Sequence, residues 1–393
     1  MQAEFLPGNA LTLLETGGEF FPALIDAIDA AQREFHLETY IFADDATGQT
    51  VAAALARAAR RGVTVRVLVD GFGSADFSAT LRPSLEAAGA RVLIYRPDIA
   101  RYRLRRYRLR RLHRKLAIAD GCVAFIGGIN IVDDVDPAQP APPRFDYAVR
   151  LEGPLLASVH ASARRLWTLV AWASFRRRLR LDATAPVCAA ASGATRSAMR
   201  AAFVIRDNLR HRRDIEDAYL KAIGAAREEI VLANAYFLPG RRFRRALLEA
   251  ARRGARVTLL LQGRIEYRLQ HYASQALYGP LLDAGVRIFE YRRSFLHAKV
   301  AVIDSRWATV GSSNIDPFSL LLAREANVIV DDRDFAAGLR ASLNAAMQSG
   351  ARELHPDDWR RKPLPHRFVR WMAYGLVRLL IGVAGYAEYG GKH

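Results

Sequence analysis

Helical and strand-like patterns of hydrophobic residues alternate along the chain, and the same succession occurs twice. Residues 55–71 (LARAARRGVTVRVLVDG) and 248–263 (LEAARRGARVTLLLQG) each show helical periodicity, then a glycine, then an apolar run typical of a buried strand. Residues 27–42 and 222–237 each predict a helix that leads into a strand. Helices and strands that alternate at this length predict βα units around a parallel or mixed sheet in each half.

This duplication predicts a chain with four parts. We assign residues 1–153 to a first repeat and 154–200 to a connecting helix and linker. Residues 201–350 are the second repeat, and 351–393 are a basic and apolar tail.

The tail segment FVRWMAYGLVRLLIGVAGY (368–386) predicts an amphipathic helix. Arg370, Tyr374 and Arg378 fall on one face, and apolar side chains such as Met372 fall on the opposite one. Such a helix is typical of a membrane interface, and it is equally typical of a helix docked on a protein core. Because arginines interrupt the apolar run, we expect no spanning helix, and the N-terminal sequence predicts no signal peptide.

The charge balance indicates the kind of partner. The chain has 58 Lys and Arg against 40 Asp and Glu, and its formal net charge is +18. A field of this sign concentrates anions such as nucleic acids, acidic lipid headgroups or phosphorylated substrates. The two cysteines are far apart and form no CxxC pair, so we expect no metal site of the zinc-ribbon kind.

Each half contains the pattern H-x-K-x-x-x-x-D on a predicted strand. Residues i and i+2 of a strand share a face, so the histidine and the lysine project together. Glycine and then asparagine follow at matching distances, and an asparagine amide can donate to a phosphoryl oxygen. Two copies within a larger repeat argue against an accidental match. The residues are His113, Lys115, Asp120 and Asn130 in the first half, and His297, Lys299, Asp304 and Asn314 in the second.

These residue types suit chemistry on a phosphodiester. Two histidines supply a nucleophile and an acid if one is neutral while the other is protonated. The lysines and asparagines place positive charge and hydrogen-bond donors around the non-bridging oxygens. Since the lysines neutralise the phosphoryl charge, we expect neither a metal nor a cofactor.

The duplicated motif is the signature of the phospholipase D superfamily, which this sequence resembles along nearly its whole length. It is similar to the bacterial cardiolipin synthases of the short type B branch in segments such as LETYIFADD (37–45), LHRKLAIADG (112–121), FLHAKVAVID (295–304) and VGSSNIDPFSL (310–320). The resemblance implies an α/β fold in which two duplicated phospholipase D-like α/β/α sandwich domains pack as a pseudo-dimer with one shared active site.

The resemblance also implies roles for single residues. His113 would attack phosphorus to form a phosphatidyl-histidine, and His297 would protonate the departing alcohol, although the pseudo-twofold symmetry permits the opposite order. Each histidine needs an acid that fixes its tautomer. Glu325 occupies the position of such an acid in the second half, and Asp146 resembles its counterpart in the first. For both acids an ordinary solvated carboxylate is the alternative.

Four further side chains carry weaker expectations. Asp120 and Asp304 are expected to brace the motif rather than touch substrate. Tyr40 and Tyr236 are expected at equivalent strand ends, where core packing is favoured over a position in the cleft.

By resemblance, the chain is a phosphatidyltransferase that joins two phosphatidylglycerol molecules into cardiolipin and releases glycerol through a phosphohistidine intermediate. We expect it to bind anionic phospholipid at the cytoplasmic face of the cell membrane as a peripheral protein, without a nucleic-acid partner, and to be catalytically complete as a monomer. The alternative enzyme is a phospholipase D-type hydrolase or a nuclease acting on other phosphodiesters. A non-catalytic binding module is a third class, which the two intact motifs disfavour.

An arginine-rich run, RYRLRRYRLRRLHRK (101–115), precedes the first histidine. In the second half Tyr291 lies six positions before His297, whereas the equivalent Tyr95 lies eighteen before His113, so the run is mostly an insertion. Its spacing fits neither a strand nor a helix, which predicts an irregular loop or bent hairpin at the rim of the site. It binds anionic headgroups in one interpretation and is a solvated basic loop in the other.

Overall fold

A computed structural model describes residues 3–97, 110–133, 142–174, 198–207, 210–316, 323–361 and 363–386. The first half contains β1 (Leu6–Glu15), α1 (Thr16–Ala30), β2 (Glu34–Thr39), α2 (Ala46–Arg60), β3 (Thr64–Asp70), α3 (Leu81–Ala87), β4 (Arg91–Tyr95), β5 (Arg111–Leu112), β6 (Lys115–Ala119), β7 (Val123–Gly127), β8 (Tyr147–Glu152) and α4 (Leu156–Ala173).

The second half repeats most of this order. It contains β9 (Met199–Arg206), α5 (Asp214–Ala225), β10 (Glu229–Asn234), α6 (Arg241–Arg252), β11 (Arg256–Gln262), α7 (Arg268–Gln275), α8 (Tyr278–Asp283), β12 (Arg287–Tyr291), β13 (Lys299–Ile303), β14 (Trp307–Gly311), β15 (Ala323–Asp331), α9 (Arg333–Gly350), β16 (Ala351–Leu354), α10 (Pro356–Arg360) and α11 (Leu364–Tyr386).

The strands of both halves form one continuous sheet. The order is β4-β3-β2-β6-β7-β8-β1 in the first half and β9-β15-β14-β13-β10-β11-β12-β16 in the second, joined where β1 pairs with β9. The strands of the βα units, β2–β4 in the first half and β10–β12 in the second, pair in parallel. The other neighbouring strands in this order pair antiparallel. The predicted duplication and mixed sheet are therefore present, and the two strand orders mirror each other about the β1–β9 pair.

In the part of the chain that the structure describes, apolar side chains form three large cores, one in each half and one between the halves. Leu24, Leu55 and Leu85 of α1–α3 pack against the outer face of the first-half sheet. The equivalent outer core of the second half contains Leu247 of α6 and Leu281 of α8. Between the two halves, β6–β8 face β13–β15, and α4 and α9 add their apolar faces to the same core. Each half is thus an α/β/α sandwich, and the inner layer is shared.

Glycine ends the repeated helix in both halves. Gly62 follows α2 with a φ of +91°, and Gly254 follows α6 with a φ of +95°. This left-handed conformation favours a residue without a Cβ, and it turns the chain from the helix into the parallel strand.

Helix α11 docks on α7 through its more polar face. Arg370 is 7% exposed, and its Nε donates to Gln275 Oε1 (3.0 Å) while its guanidinium lies 4.2 Å from the ring centroid of Trp359. Ala373 and Val377 complete the docked stripe. The opposite face exposes seven apolar side chains: Phe368, Val369, Trp371, Met372, Leu376, Leu379 and Leu380.

The sequence left two placements of this helix open, and its orientation combines features of both. The helix is docked on the protein, but it turns its apolar face outward. Within the described ranges, no helix has the length and apolarity that crossing a membrane requires.

Candidate active site

Each motif histidine lies on a short extended segment that pairs with the other half. Strand β5 runs parallel to the start of β15, and the His113 N–H donates to the carbonyl of Arg324 (3.0 Å). In the second half, Phe145 and Leu296 form a parallel bridge, and the His297 N–H donates to the carbonyl of Phe145 (2.8 Å). The backbone of each half therefore positions the histidine of the other.

Both histidines contact a carboxylate across the same boundary. His113 Nδ1 lies 3.0 Å from Glu325 Oε1, and His297 Nδ1 lies 2.6 Å from Asp146 Oδ2. Because a carboxylate only accepts, we assign the proton of each neutral ring to Nδ1, which leaves the lone pair on Nε2. Lys299 Nζ also lies 2.8 Å from Nδ1 of His297. The sequence singled out both acids, and the structure adds that each one serves the histidine of the opposite half.

The two acids occupy equivalent positions but differ in length. Asp146 lies two residues before the residue that pairs with the end of β7. Glu325 likewise lies two residues before the residue that pairs with the end of β14. A Cβ on Gly128 would lie only 2.3 Å from Asp146 Oδ1, whereas the equivalent Ser312 donates its hydroxyl to Glu325. Glycine thus leaves room for the shorter acid, and serine holds the longer one.

Burial keeps both histidines neutral. It lowers the pKa of His297 to about 4. The charge of Lys299 also lowers this pKa, whereas the charge of Asp146 raises it. Burial also lowers the pKa of His113, with Glu325 opposing and Lys115 reinforcing the shift. Neutral imidazoles with free Nε2 lone pairs are competent nucleophiles and bases near neutral pH.

The two lysines lie beside the histidines. Lys115 Nζ donates to the carbonyl of His113 (2.7 Å), and Lys299 Nζ lies 3.5 Å from Asp146 Oδ2. Burial lowers the pKa of Lys115 to about 7, and the charge of Lys299 adds to the shift. Two ammonium groups in one buried site destabilise each other's charge, so an anion bound between them would be strongly stabilised.

The motif aspartates do not line the cleft, and their carboxylates bind backbone N–H groups instead. Asp120 accepts hydrogen bonds from the N–H groups of residues 32–34, and Asp304 from those of residues 227–229, all at 2.8–3.0 Å. Both residues adopt a positive φ, 52° and 49°. Each carboxylate therefore fixes the turn after the motif strand against the strand next to it.

A buried ion pair supports the first motif but not the second. Arg114 lies between the motif histidine and lysine, and its side chain donates to both carboxylate oxygens of the buried Glu38. The second half has Ala298 and Ala233 at the equivalent positions. Breaking a buried pair by removing one partner is costly, so Arg114 fixes the orientation of the first motif strand.

The two histidines open into one cleft of about 670 Å³. Asn130 and Asn314 line it, and Asn130 Oδ1 accepts from the Ile41 N–H (3.2 Å), which leaves its amide N–H groups for a ligand. Among the described residues, no group of three or more His, Cys, Asp or Glu side chains is arranged to hold a metal ion.

The two tyrosines are not at equivalent positions, contrary to the prediction from the sequence. Phe42 and Phe237 make matching bridges, to Ile131 and Ile315, so Tyr40 lies two residues before its phenylalanine and Tyr236 only one. Both tyrosines line the cleft, whereas the sequence predicts that they pack in the core. Tyr40 has its ring centroid 5.0 Å from that of His113.

Residues 101–109 of the arginine-rich run lie outside the described residues. The end of the run forms strand β5, and Arg111 lines the cleft with its guanidinium 4.8 Å from the ring centroid of Phe72. Sequence reasoning missed Glu266 and Arg144, which also line the cleft and lie 3.3 Å apart. The two halves differ in these loops, so comparison of the repeats gave no signal for them.

The bracing role of Asp304 predicts a graded loss of stability. Asp304→Ala leaves three backbone N–H groups without their acceptor and places alanine at a positive φ, so the free energy of unfolding should fall by about 1–3 kcal/mol. Asp304→Asn should cost less, because asparagine tolerates the left-handed conformation and keeps one acceptor. Chemical denaturation at pH 7 measures both.

A matched control is Asp29→Ala, which removes an exposed carboxylate paired with Arg57. It should change the stability by less than about 0.5 kcal/mol. Equal stability of Asp304→Ala and the unmodified chain would exclude the bracing role.

Comparison with known proteins identifies both halves. A family model described as the cardiolipin synthase, PLD-like domain matches residues 24–134 and 219–347. The chain is 40% identical over 364 residues to cardiolipin synthase B of Escherichia coli (strain K12), an alignment that covers 90% of this chain and 84% of the relative. It is 30% identical over 358 residues to cardiolipin synthase 2 of Bacillus anthracis, covering 91% of this chain and 68% of that one.

A solved structure shares the architecture. Phosphatidylserine synthase from Haemophilus influenzae Rd KW20 aligns with a TM-score of 0.70 at 15% identity, over 95% of this chain and 96% of the other. At that identity the likeness concerns the fold, and it confirms the predicted pair of phospholipase D-like halves. The family model and the identity to the curated relatives go further: the chain belongs to the cardiolipin synthase family of phospholipase D-like proteins.

Proposed function

We propose that the chain joins two phosphatidylglycerol molecules into cardiolipin and releases glycerol. The observation that carries the proposal is the pair of histidines in one cleft, each hydrogen-bonded through Nδ1 to a carboxylate of the opposite half. Membership of the cardiolipin synthase family supports a phosphatidyltransferase of this kind. The reaction needs a nucleophile, an acid–base group and positive charge, and the two histidines with the lysines beside them supply all three.

In the first step we assign the attack to His113. Its Nε2 lone pair forms a bond to phosphorus, the bond from phosphorus to the glycerol oxygen breaks, and protonated His297 gives its proton to that oxygen. Burial lowers the pKa of His297 in the free protein, but a bound phosphodiester brings negative charge that raises this pKa and favours the imidazolium.

In the second step His297 acts as the base. It takes the proton of a hydroxyl on the second phosphatidylglycerol, the hydroxyl oxygen bonds to phosphorus, and the phosphorus–nitrogen bond to His113 breaks. The products are cardiolipin and an enzyme restored to its starting protonation. Lys115 and Lys299 stabilise the charge on the non-bridging oxygens in both steps, and the amides of Asn130 and Asn314 donate to them.

One chain supplies the complete set of groups. Glu325 and Asp146 reach the histidines within the same chain, so we propose that the monomer is catalytically sufficient. The alternative of a hydrolase or nuclease is not favoured, because the relatives that share 30–40% identity over most of the chain are named cardiolipin synthases.

The assignment of the nucleophile predicts a trapped intermediate. After incubation with phosphatidylglycerol vesicles and rapid acid-free quenching, mass spectrometry should find a phosphatidyl adduct on the peptide that contains His113. His113→Ala should abolish both the adduct and cardiolipin, because no bond to phosphorus can form. An adduct confined to His297 would reverse the order of the two residues.

A parallel incubation with single-stranded and duplex DNA distinguishes the alternative enzyme. We expect intact DNA alongside cardiolipin and free glycerol. Degraded DNA with unchanged lipid would contradict the proposed function.

The low pKa of Lys115 predicts the alkaline limit of activity. Because the free enzyme loses this charge as the pH rises through about 7, kcat/KM should fall more steeply above that pH than deprotonation of His297 alone requires, and well below the usual pKa of a lysine. Lys115→Arg keeps its charge, so its profile should extend to higher pH even where its maximum is lower. A wild-type kcat/KM that stays constant to pH 9 would exclude this role for Lys115.

For membrane association we propose that the outward face of α11 lies on the bilayer. Trp371 is 67% exposed and Leu379 is 64% exposed, although their helix is anchored on the protein through Arg370. Helix α7, on which α11 docks, also contributes Gln270 to the cleft, so one helix contacts both α11 and the site. With a net charge of +18, the chain is attracted to the anionic cytoplasmic leaflet, where it would bind peripherally.

Replacing apolar side chains on this face should weaken vesicle binding. The double variant Trp371→Ser and Leu379→Ser should cosediment less with phosphatidylglycerol vesicles, because two exposed apolar side chains no longer enter the interface. Trp172→Ser, which changes a similarly exposed tryptophan on α4, is the matched control and should retain binding. If the double variant binds vesicles as well as the wild-type protein does, the face does not lie on the bilayer. If the double variant is a monomer where the wild-type protein is a dimer, the face binds a second copy of the chain instead.

A further inference from the structure

The two walls of the cleft differ in chemistry although the halves are repeats. The first-half wall combines the apolar side chains of Ile41, Phe72 and Val132 with donors such as Arg111 and Asn130. The second-half wall is polar and includes Tyr236 and Glu266, together with Gln270. Two phosphatidyl groups must occupy this cleft in turn, and the two walls offer a polar headgroup different partners.

Glu266 is the centre of the polar wall. Tyr236 donates its hydroxyl to Glu266 Oε2 (2.6 Å), and Arg144 Nη1 lies 3.3 Å from Oε1. Burial and the charge of Glu266 raise the pKa of Tyr236, so the phenol keeps its proton and acts as a donor. The Glu266 side chain is 21% exposed, and each carboxylate oxygen has a second lone pair for a ligand in the cleft.

This carboxylate lies on the His297 side of the site. Arg144 precedes Asp146 by two residues on the extended segment that pairs with residues 295–297. Residues i and i+2 of an extended segment share a face, so the group that contacts Glu266 and the acid that contacts His297 project together.

The equivalent loop of the first half has no such group. Asp70 and Gln262 end equivalent strands, and four residues later the chain has Ser74 in the first half and Glu266 in the second. Ser74 uses its hydroxyl inside the protein, donating to the Tyr40 carbonyl and accepting from the Phe42 N–H. Arg144 and Tyr236 offset the negative charge of Glu266, and the lone pairs that remain toward the cleft favour a ligand that donates hydrogen bonds over an anionic one.

We propose that Glu266, held by Tyr236 and Arg144, is the subsite for the vicinal hydroxyls of the acceptor headgroup. This inference rests on the proposed function. One hydroxyl of the diol gives its proton to His297 and attacks phosphorus, while the phosphorus–nitrogen bond to His113 breaks. The neighbouring hydroxyl donates to Glu266 and does not react. The subsite thereby selects acceptors with two adjacent hydroxyls over water and over simple alcohols.

A competition between two small acceptors tests the subsite. Phosphatidylglycerol is incubated with equal concentrations of 1,2-propanediol and 1-propanol, and the two phosphatidyl alcohols are quantified by mass spectrometry. The product ratio reports how the intermediate partitions, and it is independent of how fast the intermediate forms. The wild-type protein should favour the diol by about tenfold or more, as expected for a hydrogen bond to a charged group.

Glu266→Gln and Glu266→Ala should bring this ratio close to one, and Tyr236→Phe should lower it partly because the carboxylate loses the donor that orients it. Glu353→Gln is the matched control, since it removes a carboxylate that is paired with Arg287 at the edge strand β16. It should leave the ratio at the wild-type value.

The outcomes separate this inference from the proposed function. If Glu266→Gln keeps the wild-type preference for the diol while cardiolipin forms, the subsite is wrong and the proposed function stands. If the wild-type protein transfers phosphatidyl groups to neither alcohol and forms no cardiolipin, both are wrong.

Discussion

The hydrogen bond between each motif histidine and a carboxylate of the opposite half is the constraint on which the rest of the structure depends. Glu325 orients His113 and Asp146 orients His297, so neither half alone contains an oriented histidine. The sheet that continues through β1 and β9, and the apolar core shared by β6–β8 and β13–β15, keep the halves in register. Since each imidazole loses its orientation if the halves shift, packing between them is a condition for chemistry.

A duplicated fold performs a task that is not symmetric. One histidine must bond to phosphorus while the other moves protons, and the two sites have diverged accordingly. Asp146 lies against Gly128, whereas Glu325 accepts from Ser312. An ion pair behind the first motif corresponds to two alanines behind the second. The walls of the cleft differ as well, because Ile41, Phe72 and Val132 lie on the first-half side and Tyr236 with Glu266 on the second-half side.

Much of this could be predicted from one sequence, because the repeat carries local information twice. The helices, the strands, the glycines that end α2 and α6, and both H-x-K-x-x-x-x-D motifs follow from local pattern. Which acid contacts which histidine did not follow, since it depends on contacts between residues 151 or 212 positions apart. The outward orientation of the apolar face of α11 could not be predicted either. Burial of Arg370 against Gln275 and Trp359 reverses the usual orientation of an amphipathic helix.

The exchange of acids between the halves is tested most directly by nitrogen NMR of the protein labelled with ¹⁵N-histidine at pH 7. The account predicts that both motif histidines are neutral and protonated at Nδ1, and that Glu325→Gln changes the Nδ1 signal of His113 while leaving that of His297 in place. Asp146→Asn should do the reverse. A Glu325→Gln spectrum in which His297 changes and His113 does not would contradict the exchange.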